Sequence, residues 1–107
     1  MTTVATNEAV FLAIADANRR RMLDLLAAGD APAQELADQF EISFAAVSQH
    51  LKVLREAGLV SRRAQGRRRI YRLTPQKLRV VEDWMATYRT FWQGRLKRLG
   101  EYLDTKK

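Results

Sequence analysis

Ser48, Gln49 and Lys52 place a hydroxyl, a primary amide and an ammonium within five residues. On a helix, where each residue turns by about 100°, Gln49 and Lys52 project outward together with Ala45 and Glu56, and Ser48 stands at their flank. An amide of this kind pairs bidentately with adenine, a hydroxyl donates to a purine or a phosphate, and a lysine neutralises a phosphate. A small residue such as Ala45 allows close approach or contact with a thymine methyl. Val47, Leu51, Leu54 and Gly58 fall on the opposite side and are made to pack. The start is marked by Ser43, whose hydroxyl can accept from a free N–H of the first turn. The stop is marked by Gly58 and Leu59, a left-handed residue followed by an apolar contact. A plain solvated helix offers a similar outward face, so the charge distribution has to decide.

From Ser43 to Leu73 eight Lys and Arg stand against a single acid, Glu56, a net charge of +7 that equals the formal charge of the whole 107-residue chain. Residues 1–42 carry −4 and residues 74–107 carry +4. The excess positive charge therefore sits on the candidate helix and the segment after it, the footprint of a phosphate-binding face. That segment reads as a β-hairpin, Leu59 to Arg63 and Arg67 to Leu73 around a turn at Ala64-Gln65-Gly66. Arg67, Arg68 and Arg69 at its tip suit phosphates or a narrow minor groove; the bland alternative is a solvated basic hairpin.

These groups need a scaffold. The length predicts a single domain over residues 1–107 with a modest core, which gains from burying surface in an oligomer. No cysteine is present, which excludes disulfides, thiolate metal sites and thiol nucleophiles. Met1-Thr2-Thr3-Val4 lacks the pattern of a secretory leader and no run approaches a membrane span, so a cytoplasmic, nucleoid-associated protein is expected.

Two N-terminal helices are expected at about 7–28, the first apolar nearly all round and capped at Thr6 or Asn7, the second opening at Asp16 and closing at Gly29-Asp30. Arg19, Arg20 and Arg21 lie in the first turns of the second, where the helix dipole disfavours cations. Salt bridges to acids such as Asp24 or Glu35 are the expected relief, with phosphate contact as the alternative. Residues 33–58 read as helix, turn, helix: Gln34 to Phe40, a turn at Glu41-Ile42-Ser43, then the helix described above. The hairpin spans 59–73. Thr74-Pro75 signals a cap and first residue for a long helix over 75–104. Its stripe Leu78, Val81, Met85, Tyr88, Trp92, Leu96, Leu99 and Leu103 runs for roughly 45 Å, more than so small a body can cover. The outer half is expected to meet a second copy, with Val10, Phe11 and Ile14 of the first helix joining Met85, Tyr88, Trp92, Leu96, Leu99 and Leu103. The alternative is a pocket for an apolar ligand lined by Trp84, Tyr88, Phe91 and Trp92.

Leu12 to Leu23, Glu35-Leu36-Ala37, Ala46 to Val60 with its Ser-Gln-His-Leu-Lys run, and the hairpin residues Gly66-Arg67 and Arg69-Ile70-Tyr71 together resemble the ArsR family of bacterial winged-helix repressors. The resemblance implies a mostly α fold with a small β-hairpin, a winged helix-turn-helix that is dimeric through the first and last helices. It also implies binding to an inverted-repeat operator and repression, often of the protein's own gene. Carried onto this chain, Ser48 and Gln49 would read bases, Lys52 would grip phosphate and Arg67 to Arg69 would engage backbone or minor groove; Ser43, Ala45 and His50 complete the candidate DNA-contacting set. Metal sensing in the family uses cysteines, or histidines with carboxylates on the last helix; this chain has neither there, so no metal and no cofactor are expected. Any small-molecule effector is unknown. His50, the only histidine, lies at the edge of the groove and reads as a packed support of the helix or as a DNA contact. No phosphate-cradling loop or nucleophile with spaced partners is present, so an enzyme is not expected. The rival to an operator-binding repressor is a winged-helix module for protein or RNA without operator specificity.

Overall fold

The computed structural model describes residues 6–105; the leader question at Met1 to Val4 lies outside them. The helices are α1 (Asn7–Ile14), α2 (Ala17–Ala28), α3 (Ala33–Ala37), α4 (Phe44–Glu56) and α5 (Arg79–Thr105), and the strands are β1 (Ala31–Pro32), β2 (Val60–Gln65) and β3 (Arg68–Leu73). The helices α1, α2 and α4 each begin where a side chain satisfies a first-turn N–H, whereas α3 opens after Pro32 without such a cap. Thr6 accepts from Ala9 at 3.1 Å, Asp16 from Arg19 at 3.0 Å and Ser43 from Ala46 at 3.1 Å. The end of α4 is a Schellman motif. Leu59 N–H donates to the Leu54 carbonyl and Gly58 N–H to that of Arg55, with Gly58 at φ 79°. Leu54 and Leu59, the apolar partners of that motif, are both fully buried.

The core gathers Val10 and Ala13 of α1, Met22, Leu23 and Leu26 of α2, Leu36 of α3, Val47, Leu51 and Leu54 of α4, and Tyr71 of β3. Val10 is only 1% exposed, so it cannot touch a second copy as expected; it packs inside its own chain. An apolar helix that must be covered on several sides has its most central residue taken by the nearest core.

Three boundaries differ from expectation. The helix α3 stops at Ala37, and the chain continues to Phe40 in short-range turns, Gln39 N–H to the Leu36 carbonyl and Phe40 N–H to that of Ala37. The hairpin turn is Gly66-Arg67, with β2 running on to Gln65. Gly66 at φ 65° takes the first central position of a two-residue turn, the place where glycine is needed. The long helix begins at Arg79 after a 3-10 turn over Pro75–Leu78. Thr74 makes no cap there; its hydroxyl donates to the Gly58 carbonyl at 2.8 Å and its N–H to that of Leu59, tying the hairpin exit to the end of α4.

A third strand joins the expected hairpin. Ala31 and Pro32 pair antiparallel with Tyr71 and Ile70, giving a sheet of order β1-β3-β2. Pro32 fits because it stands on an edge strand, where a missing N–H costs no ladder bond. Two residues are too few to show any alternation.

Candidate nucleic-acid interface

The outward side of α4 and the near face of the hairpin form one open groove of about 440 Å³. Six residues of α4 line it, Phe44, Ala45, Ser48, Gln49, Lys52 and Arg55, and Arg62, Arg69 and Tyr71 of the hairpin face them. At about 100° per residue those six cover an arc of roughly 140°, and the buried Val47, Leu51 and Leu54 cover the arc beside it. Burying three apolar side chains on one arc thus aims an amide, a hydroxyl and two cations into the groove. The chain holds an α-helix and an arginine-tipped wing side by side, the geometry that seats a helix in the major groove while the wing follows the backbone.

Of the expected contacts, Ala45, Ser48, Gln49 and Lys52 stand together here. Ser43 lies just ahead, exposed, with its Oγ engaged in the helix cap. Arg67 and Arg69 carry no hydrogen-bonding or ionic side-chain partner among the described residues. Arg68 pairs with Glu35 at 3.4 Å, and Arg63 with Asp30 at 3.1 Å. Both pairs are solvent-exposed and so worth about 0–1 kcal/mol, weak enough to exchange for phosphate.

His50 is placed differently. It turns to the far flank of α4, away from the groove, and its Nδ1 lies 3.2 Å from Arg19 Nη1 and 3.9 Å from Asp16 Oδ2. A guanidinium only donates, so in the Arg19 contact Nδ1 accepts. Arg19 also donates to the carbonyls of Ala13 at 2.6 Å and Leu12 at 3.0 Å, and Arg20 to that of Ile14 at 2.9 Å. These are among the last carbonyls of α1, where the helix runs out of its own N–H donors; that of Leu12 also accepts from the Ala15 N–H. The expected salt bridges to Asp24 and Glu35 do not form; Arg21 instead lies 5.0 Å over the Phe40 ring. Cations that sit poorly at the start of α2 sit well at the end of α1, where the dipole is negative. The Arg19 backbone N–H, foremost, and the charge of the Arg19 side chain hold the Asp16 carboxyl below its usual range, against partial burial. One cluster so joins α1, α2 and α4.

Phe44, Arg55 and Arg62 line the groove although they were not among the expected contacts. Phe44 and Arg55 share the angular position of Ser48 and could have been found on a helical wheel. Arg62 could not, because its place depends on pairing opposite Tyr71, whose hydroxyl it reaches at 3.3 Å.

The second expected surface is the exposed side of α5. Tyr88, Trp92, Leu96, Leu99 and Leu103 are all exposed, between 44% and 59%, and Met85 is half-buried. Near the body, Phe11 of α1 meets Trp84 edge to face at 5.6 Å between centroids, and Ile14 packs partly against the core. Trp84, Met85, Tyr88 and Trp92 line an open apolar groove of about 430 Å³. Among the described residues no helix is long and apolar enough to cross a membrane, and no three His, Asp or Glu side chains gather as a metal site would require.

Residues 16–62 match the family described as bacterial regulatory protein, arsR family. The chain is 36% identical over 106 residues to the HTH-type transcriptional regulator Rv2034 of Mycobacterium tuberculosis, an alignment covering 99% of this chain and 96% of that one. It is 38% identical over 79 residues to the transcriptional repressor SdpR of Bacillus subtilis, covering 74% and 88%. A crystal structure of an ArsR family transcriptional regulator superposes with a TM-score of 0.72 at 30% identity, covering 80% of this chain and 89% of that one. The wing, the helix-turn-helix and these relatives agree: the chain belongs to the ArsR family and is a DNA-binding, winged-helix transcriptional regulator.

Proposed function

We propose that the protein is a homodimeric repressor that binds an inverted-repeat operator in the cytoplasm, on the nucleoid, and that its own promoter is among its targets. The observation that carries this reading is the groove, where Ser48, Gln49 and Lys52 stand opposite hairpin arginines. Gln49 reads adenine, Ser48 reads a purine edge or the adjoining phosphate, and Lys52 with Arg67, Arg68 and Arg69 supplies backbone charge.

Dimerisation rests on α5. Of the ten large apolar residues exposed among the described residues, eight lie on that helix: Trp84, Tyr88, Phe91, Trp92, Leu96, Leu99, Tyr102 and Leu103. They fall within an arc of roughly 140°, a continuous apolar stripe. Monomers rarely leave such a patch in water, and a two-fold axis lets the same stripe cover itself. Two copies then present two grooves, which matches a palindromic site. The repressor works without metal: cysteine is absent from the sequence, and the carboxylates of α5 are not joined by a histidine.

Selection of bound duplexes from a random library tests the function. A palindrome with half-site centres about 34 Å apart, or a multiple of that, is the expected result. An output with no enriched motif would instead point to a protein- or RNA-binding winged helix. Operator release by Zn²⁺ would overturn the metal-free part.

A further inference from the structure

Phe44 is the one exposed aromatic residue outside α5 among the described residues, with half its surface in solvent. Packing does not explain it. The apolar positions that fix the chain's entry into α4 are held by Ile42, just before the Ser43 cap, and Val47; both belong to the core packing. A first helical residue needs no side chain to close the cap, and Ser43 already satisfies Ala46 N–H. The ring instead lines two adjoining grooves. One is shared with Ala45, Ser48, Gln49 and Lys52; the other, of about 290 Å³, with Gln34 and Arg67, Arg68 and Arg69.

We propose that the Phe44 ring packs on the C5-methyl of a thymine in the major groove, so that Phe44 helps to determine which sequence is bound. This rests on the operator-binding reading above. N-terminal residues of a recognition helix meet base edges, and the thymine methyl is the one apolar group those edges offer. The ring is surrounded by cations and amides that fix where the duplex backbone and neighbouring bases lie, so a flat apolar surface at this point reaches a base rather than a phosphate. RNA lacks that methyl, and Phe44 then also favours DNA.

The test uses the duplex that the full-length protein enriches from a random library. Each thymine of one half-site is replaced in turn by deoxyuridine, which removes only the methyl, and affinities of wild type, Phe44→Ala and Phe44→Leu are measured. At one thymine, deoxyuridine is expected to weaken wild type about tenfold and Phe44→Ala hardly at all, with Phe44→Leu between them. Equal thermal unfolding of the three proteins excludes a folding defect. If the two losses multiply at every thymine, or the enriched half-site holds no thymine, the Phe44 assignment is overturned and the repressor reading stands. A wild-type selection without any motif overturns the repressor reading first and this assignment with it.

Discussion

The outward side of α4 and the outward side of α5 have the same geometry and opposite chemistry. Each is an arc of roughly 140° on an amphipathic helix whose other side packs on the core or looks into water. The arc of α4 carries Ser48, Gln49, Lys52 and Arg55; that of α5 carries Trp92, Leu96 and Leu99. Hydrated amides and cations release their water only to partners that replace each hydrogen bond and charge, so the first surface discriminates. Apolar groups release water to any fitting apolar surface, so the second gives affinity, and a two-fold copy of itself is the nearest match. In the proposed dimer, joining and reading thus fall to separate helices. The Asp16, Arg19 and His50 cluster belongs to neither surface and holds α1 and α2 against α4.

The largest effect is expected at α5. The double change Trp92→Glu and Leu96→Glu places carboxylates inside the expected dimer seam, where desolvating them costs several kcal/mol. Sedimentation equilibrium should show a dimer constant weakened more than about 100-fold, with unchanged circular dichroism because both positions are exposed in the single chain. A variant that remains a dimer at micromolar concentration would remove α5 from the interface.

At the reading surface, Gln49→Ala should cost about 1–3 kcal/mol on the preferred operator and little on random DNA. Equal losses on both would show that the amide does not read a base. At the junction, Asp16→Ala removes the cap of α2 and should lower stability by about 1 kcal/mol, measured as a urea midpoint at neutral pH. The Asp16 carboxyl titrates below its usual range in the folded chain, so its contribution is full above about pH 4, its unfolded value, and is lost as pH falls through the folded one. Wild type and variant should converge in acid. The smallest effect is expected for Arg69→Ala: weaker binding to all duplexes alike and a salt slope reduced by about one ion.

Much of this site was legible beforehand because it depends on local rules. Ser43 and Gly58 bracket α4 through hydrogen bonds that span only three to five residues. The spacing of Val47, Leu51 and Leu54 decides its buried side, and with that the outward place of Ser48, Gln49 and Lys52. Where long-range packing intervenes, local rules no longer decide. Arg19 and Arg20 looked for nearby acids but found the carbonyls at the end of α1, which the fold brings within reach.

What can be read from the chain alone is the order of the helices, the caps at Asp16 and Ser43, the basic hairpin and the side of α4 that faces outward, because periodicity and capping act over a few residues. The folded chain alone reveals that Val10 belongs to the core, that His50 turns toward Asp16 and Arg19, and that Arg62 enters the groove. Those outcomes depend on which surfaces meet across the fold, and contact between distant segments leaves no period in the chain to read.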